Sequence, residues 1–296
     1  MRGRGRFRTH VAAAGAALLL CAGALTGCET AGPAATRPKP TPPPTPVWDR
    51  TPASVAAVGD SITRAFDACS VLADCPEVSW ATGTDTTVNS LALRLLGAEG
   101  VADRSWNLAR TGARMAELPG QMTRAAARKP ELVTVMMGAN DACRDRVELM
   151  TPVEEFRADF EASLTALRRT APKAQVYVTS VPDLKRLWSQ GKDSPMGRQV
   201  WKLGICASML ADAEDLSASA ERRRSLVRDR VVAYNTVLEE VCAKDRRCRY
   251  DGGAVFGFRF DGRQLSPWDW FHPSRNGQAR LAEIAHRQVT APEPPA

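Results

Sequence analysis

From Trp48 onward, apolar residues follow two rhythms. The short runs SVAAV (54–58), SWNLA (105–109), ELVTVMM (131–137), QVYVTSV (175–181) and CRYDGG (248–253) are rich in Val or aromatic residues and end near Gly, Asn, Asp or Pro. They predict buried strands. Between them lie TTVNSLALRLLGA (86–98), RMAELPGQMTRAAARK (114–129), PVEEFRADFEASLTALRRT (152–170) and SLVRDRVVAYNTVLEEVCAK (225–244). Their apolar residues recur three and four apart and predict helices, the third opened by Thr151 as N-cap and Pro152 as first residue. Strand then helix, repeated, predicts an α/β protein with a parallel sheet covered on both faces, whose ligands sit beyond the carboxyl ends of the strands.

The first 47 residues follow neither rhythm. Four arginines (Arg2, Arg4, Arg6, Arg8) precede the apolar stretch Val11–Gly27, which is short for a spanning helix and reads as a signal peptide over residues 1–27. It ends in Leu25-Thr26-Gly27-Cys28, which resembles the bacterial lipobox. That resemblance implies lipidation of Cys28, each buried CH₂ of the acyl chains contributing roughly 0.8 kcal/mol to membrane anchoring. The other reading is ordinary secretion with cleavage after Ala24. Residues 28–47 hold seven prolines and little to bury, so they read as an extended tether of roughly 3 Å per residue. One domain over 48–296 completes the organisation, and either route makes the protein extracytoplasmic.

Charge supports this division. Six basic residues and one acidic one in 1–47 account for +5 of the net +7, leaving the rest near +2. The basic balance therefore belongs to the leader and tether, and nucleic acid is not an expected partner. The run ERRR (221–224) reads as a solvated helix face. A monomer is expected.

Without Cys21 and Cys28, six cysteines remain, an even number that in an exported chain implies disulfides. Cys69 with Cys75 and Cys242 with Cys248 share one spacing, which leaves Cys143 to Cys206; other connectivities stay open. No C-x-x-C pair or neighbouring histidine suggests zinc instead.

The predicted strand ends carry chemistry. The first gives Gly59-Asp60-Ser61, the second Asn107 to Gly112, the third Gly138-Ala139-Asn140-Asp141, and a C-terminal loop, LSPWDWFHPS (265–274), adds Asp269 and His272. These blocks, in this order across 54–289, resemble the SGNH or GDSL-type serine hydrolase superfamily. VSWATGTD (78–85) and GANDAC (138–143) are further similar to its phospholipase B-like branch. The resemblance implies a three-layer α/β/α sandwich of flavodoxin-like type with a central parallel sheet of about five strands. It implies Ser61 as nucleophile, Asp269 and His272 as the rest of a triad, and Gly112 and Asn140 as oxyanion donors beside the Ser61 N–H.

The residues support that reading by their own chemistry. A serine hydroxyl needs a base that titrates near neutrality, and only histidine does so unperturbed. With His10 in the signal, the candidates are His272 and His286, and His286 falls in ARLAEIAHRQV, a terminal helix with a surface or capping role. Asp269, three residues before His272, can reach Nδ1 and leave Nε2 facing the serine. Gly112 can offer an unobstructed backbone N–H and Asn140 a neutral amide N–H₂. Asp60 and Asp141 read as loop-organising carboxylates. No G-x-S-x-G elbow occurs, which disfavours an ordinary α/β-hydrolase. Trp80, Trp270 and Phe271 are candidate substrate-binding residues, with core packing the alternative for Trp80 and holding the turn that fixes Asp269 on His272 the alternative for Trp270 and Phe271; Trp188 and Trp201 read as core. The expected function is a carboxylic ester hydrolase acting through an acyl-serine on a small-molecule or lipid ester, with no metal or organic cofactor. A carbohydrate O-deacetylase and a catalytically silent tethered binding protein are the alternatives.

Overall fold

In a computed structural model describing residues 47–294, five strands pair in parallel: β1 (Val55–Gly59), β2 (Ser105–Asn107), β3 (Leu132–Met136), β4 (Gln175–Val178) and β5 (Cys248–Tyr250). Their order is β2-β1-β3-β4-β5, the flavodoxin-like order. The signal segment, Cys28 and the tether up to Pro46 lie outside the described residues. β1, β3 and β4 are buried at every position, which explains why their sequences show apolar runs and no alternation.

Nine helices accompany the sheet among the described residues: α1 (Leu91–Arg104), α2 (Leu118–Ala127), α3 (Ala139–Ala142), α4 (Val153–Thr170), α5 (Leu184–Gly191), α6 (Pro195–Trp201), α7 (Ala207–Leu210), α8 (Ala218–Ala243) and α9 (Arg275–Thr290). α2, α4 and α8 pack in series, whereas α1 packs with α9. Right-handed crossovers through this strand order place these two sets on opposite faces of the sheet, which makes three layers. Trp48 closes the assembly at its start: its indole donates to Val289 O at 2.8 Å, and the Arg249 guanidinium lies 4.3 Å from its ring.

Several elements differ from the sequence expectation. α1 begins at Leu91 because Ser90 caps it by accepting from Leu93 N–H, and it kinks at Gly97, whose φ of 72° leaves the helical region. The stretch from 114 opens as a 3-10 turn, Met115–Glu117, before Pro119 enters the first turn of α2. The third predicted helix starts one residue later, with Pro152 itself at the cap. α8 starts at Ala218, capped by Ser217 and earlier than periodicity indicated, so ERRR lies inside it.

ERRR is not a uniformly solvated face. Arg224 is fully buried, donates to the carbonyls of Asp215 (2.7 Å) and Asp212 (2.8 Å), and stacks 4.2 Å over the Trp188 ring. Arg223 donates to the carbonyls of Ala207, Ser208 and Ala211, satisfying the orphan acceptors at the end of α7. These arginines hold the insertion α5–α7, which has no counterpart in the predicted helices. Trp188 and Trp201 are buried within it, as core residues.

All three anticipated disulfides form: Cys69–Cys75, Cys143–Cys206 and Cys242–Cys248. The second ties the turn after β3 to the start of α7. Beside it Ser208 donates to Ala142 O at 2.9 Å and accepts from Arg144 N–H at 3.2 Å.

Candidate active site

β1 pairs with β2 on one side and β3 on the other, so the turns after these three strands are neighbours at the carboxyl edge of the sheet. The first of them needs glycine. A Cβ on Gly59 (φ +149°) would meet Met136 O at 2.3 Å. Gln121 of α2 then clamps this residue, accepting from its N–H at 2.8 Å and donating to its carbonyl at 2.9 Å. Beyond it the chain coils at once, with Arg64 N–H on Asp60 O and Phe66 N–H on Ser61 O, and Ser61 is presented from that coil. Gln278 of α9 holds the coil from the other side by donating to Ile62 O at 2.9 Å.

Ser61 Oγ lies 2.8 Å from His272 Nε2, and His272 Nδ1 lies 2.5 Å from Asp269 Oδ2. The second oxygen of Asp269 accepts the backbone N–H groups of Phe271 (2.9 Å) and His272 (3.0 Å). The carboxylate therefore shapes the turn and orients the imidazole together. This ordering of the ring fixes Nδ1 as the donor and leaves Nε2 able to accept the serine proton. Burial works to raise the Asp269 pKa, but the charge and hydrogen bonds of His272 outweigh it and hold the carboxyl below its ordinary value. Burial likewise works to lower His272, but the charge and hydrogen bond of Asp269 prevail and raise it.

The donors sit opposite. Gly112 is exposed with φ +79° and open space where a Cβ would be. Asn140 commits one amide N–H to Ala113 O at 3.0 Å, which fixes its orientation and leaves the second N–H unused. Among the described residues, neither the Ser61 nor the Gly112 backbone N–H has an intramolecular acceptor. Three N–H groups on adjacent turns are thus left without an acceptor at the edge of the sheet where Ser61 stands.

The two other aspartates organise loops as expected. Asp60 Oδ1 accepts from Ile62 N–H at 2.9 Å, while Asp141 accepts from Met115 N–H (2.9 Å) and the Thr151 hydroxyl (2.7 Å). Burial raises Asp60 to about 7 and Asp141 to about 6.

The aromatic expectations need correction. Trp80 is fully buried and is core, so it cannot wall an open cleft. Trp270 adopts a left-handed backbone and packs closely on Gly191, Gly197 and Gly262, where an added Cβ would lie 3.1–3.2 Å from it; it holds the acid turn against the insertion. Phe271 is buried and stands edge-on to the imidazole, ring centroids 5.2 Å apart. Phe66, which sequence reasoning passed over, flanks the other side at 5.1 Å and is half-buried, and Trp268 is 45% exposed on the same loop. His286 lies in α9, where burial and the charge of Arg94 lower its pKa; it takes no part in the site.

Asp67, Asp269 and His272 offer ligand atoms within 4.8 Å of one another. A cation there would compete for Asp269 Oδ2 and Nδ1, which already bind each other.

A parallel α/β sheet that presents a serine, histidine and aspartate hydrogen-bonded in series at its carboxyl edge defines a serine hydrolase. Residues 55–285 match the family described as GDSL-like lipase/acylhydrolase. The chain belongs to that family, within the SGNH/GDSL superfamily, and is an ester-hydrolysing serine hydrolase. Among solved structures it is similar to a GDSL-like lipase candidate of Parabacteroides merdae (16% identity, 85% of this chain and 100% of that one, TM-score 0.48). It is also similar to the extracellular lipase of Streptomyces rimosus (17%, 80% and 99%, 0.44) and to a family 3 carbohydrate esterase of Clostridium thermocellum (13%, 78% and 92%, 0.46). No curated protein sequence matches the chain.

Proposed function

We propose that this protein is an exported carboxylic ester hydrolase, anchored through lipid on Cys28 and held off the membrane by its proline-rich tether. The observation that carries the chemistry is the series Ser61 Oγ, His272 Nε2, Nδ1, Asp269 Oδ2 at 2.8 and 2.5 Å. His272 takes the Ser61 proton as Oγ attacks the ester carbonyl, and the oxyanion is received by the N–H groups of Ser61, Gly112 and Asn140. The imidazolium then protonates the leaving alcohol, and water releases the acyl group by the same path in reverse.

Phe66 and Phe271 flank the imidazole, and Trp268 is exposed on the loop that carries Phe271, apolar surface that favours an apolar acyl group over acetyl on a sugar. For the anchor, the support is the lipobox at the end of the apolar leader; no helix of the described residues is long and apolar enough to cross a membrane.

Labelling with an organophosphonate and locating the adduct tests the nucleophile, with an ester panel of graded acyl length for the substrate. We expect the adduct on Ser61, and Ser61→Ala and His272→Ala each to lower turnover by several orders of magnitude with the fold intact. An unlabelled Ser61 would refute the reading. Turnover confined to acetylated sugars would favour the deacetylase.

A further inference from the structure

A second carboxyl group lies against the triad. Asp67 is 2% exposed, and a carboxylate oxygen of it lies within 4.8 Å of ligand atoms of both Asp269 and His272. Two carboxylates this close disfavour each other's charge, so one of them takes up a proton more readily than it would in water. Asp269 is held ionised by the imidazole and two backbone N–H groups, so the proton resides on Asp67.

The position of Asp67 is built. Its backbone is left-handed at φ 57°, a conformation unfavourable for a residue other than glycine. Its N–H donates to Ala73 O at 3.0 Å and its Oδ1 accepts from Leu72 N–H. The Cys69–Cys75 disulfide closes the same loop. Ser266 latches this loop to the acid turn: its hydroxyl donates to Asp67 O, and its N–H to His272 O, both at 2.7 Å.

We propose that Asp67 is a positioning residue of the catalytic site, its carboxyl beside Asp269 and His272 setting the pH range over which His272 serves as base. The proposal rests on the serine hydrolase reading above. The charged groups facing Asp67 are Asp269 and His272; its own loop adds the mutually paired Arg64 and Asp74 (3.0 Å), and Asp60 acts on His272 from the end of β1.

Burial, and then the charge of Asp269, raise Asp67 to about 6. Below that pH it is neutral and donates. As pH rises through it, a second negative charge appears beside the imidazole and keeps His272 protonated to higher pH. Asp67→Asn keeps a donor and removes that charge, so the acidic limb of the kcat/KM profile shifts to lower pH, by about half a unit to one unit. Asp67→Ala removes the same charge, so its acidic limb shifts in the same direction, and the plateau, where wild-type Asp67 is already ionised, changes little.

The test is the pH profile of kcat/KM for the full chain and both variants, with the low-field Nδ1–H resonance of His272 followed in the wild type. That resonance should show two inflections in the wild type, one from each group, a measurement that does not depend on either variant folding. An unmoved limb in Asp67→Asn or a single wild-type inflection would overturn the proposal. Phosphonate labelling of Ser61 separates the failures: an adduct with an unmoved limb removes only the role of Asp67, and no adduct removes the hydrolase reading itself.

Discussion

The indole N–H of Trp201 donates to the backbone carbonyl of Asp269 at 2.7 Å, joining the insertion between β4 and β5 to the turn that carries the acid of the triad. The bond restrains the backbone of Asp269, while Trp270 wedges the next residue against Gly191 and Gly197. Trp201→Phe keeps most of the packing and removes the donor. We expect a stability loss of about 1 kcal/mol and a kcat about tenfold lower with KM within about twofold, because the acid is displaced and the cleft is not. Steady-state kinetics beside thermal unfolding checks this; a fall in Tm with unaltered kcat would show packing alone.

Asn140 has one amide N–H held by Ala113 and one free. Asn140→Ala should lower kcat by about 10² to 10³, the effect of removing one oxyanion donor, and leave KM nearly constant, since the bond forms only as charge develops. A variant that raised KM and spared kcat would assign Asn140 to ground-state binding.

Asp60 is 1% exposed and its Oδ2 has no hydrogen-bond partner. Burial raises its pKa from 3.8 to about 7, above the unfolded value. A carboxyl of this kind favours the folded state fully below about pH 4, and that contribution is lost as pH rises through about 7. Asp60→Asn is neutral throughout, so its Tm relative to wild type should climb between pH 4 and 7 and level off above. The full span corresponds to on the order of 4 kcal/mol. Calorimetry at pH 4.5 and pH 8 measures the difference; a constant offset would show that Asp60 is ionised in the fold.

The disulfide Cys143–Cys206 spans 63 residues and Cys242–Cys248 spans 6. Loop-closure entropy assigns about 4 kcal/mol to the first and about 2 kcal/mol to the second. Replacing both cysteines of the long link by serine should lower the denaturant midpoint more than the same change in the short one. It should also lower kcat, because Cys143 lies three residues beyond Asn140. Equal kinetic effects from the two double variants would remove the link between the insertion and the oxyanion turn.

The strands were legible as apolar runs because the central ones are buried on both faces, and all but the first were read too long, QVYVTSV and CRYDGG by three residues each. The triad and oxyanion candidates were legible because Ser61, Gly112 and Asn140 fall in turns that follow strands, and because His272, one of three histidines, stands three residues after Asp269. α5, α6 and α7 were not: they are short, and Arg223, Arg224 and a disulfide hold them in place of a continuous apolar stripe. Trp80 was ambiguous in sequence for a related reason, since an aromatic ring serves a core and a cleft equally well.

By itself the sequence determined the α/β class, the strand ends where chemistry gathers, and the residue types able to activate a serine, because periodicity and acid–base character are properties of local composition. Only the tertiary structure decided that Trp80 is core, that Trp201 and Trp270 brace the acid turn, and that Asp67 presses on Asp269. Those facts depend on contacts between residues 68 to 202 positions apart in the chain. Such contacts are set by how loops pack across the sheet edge, where no local pattern constrains them.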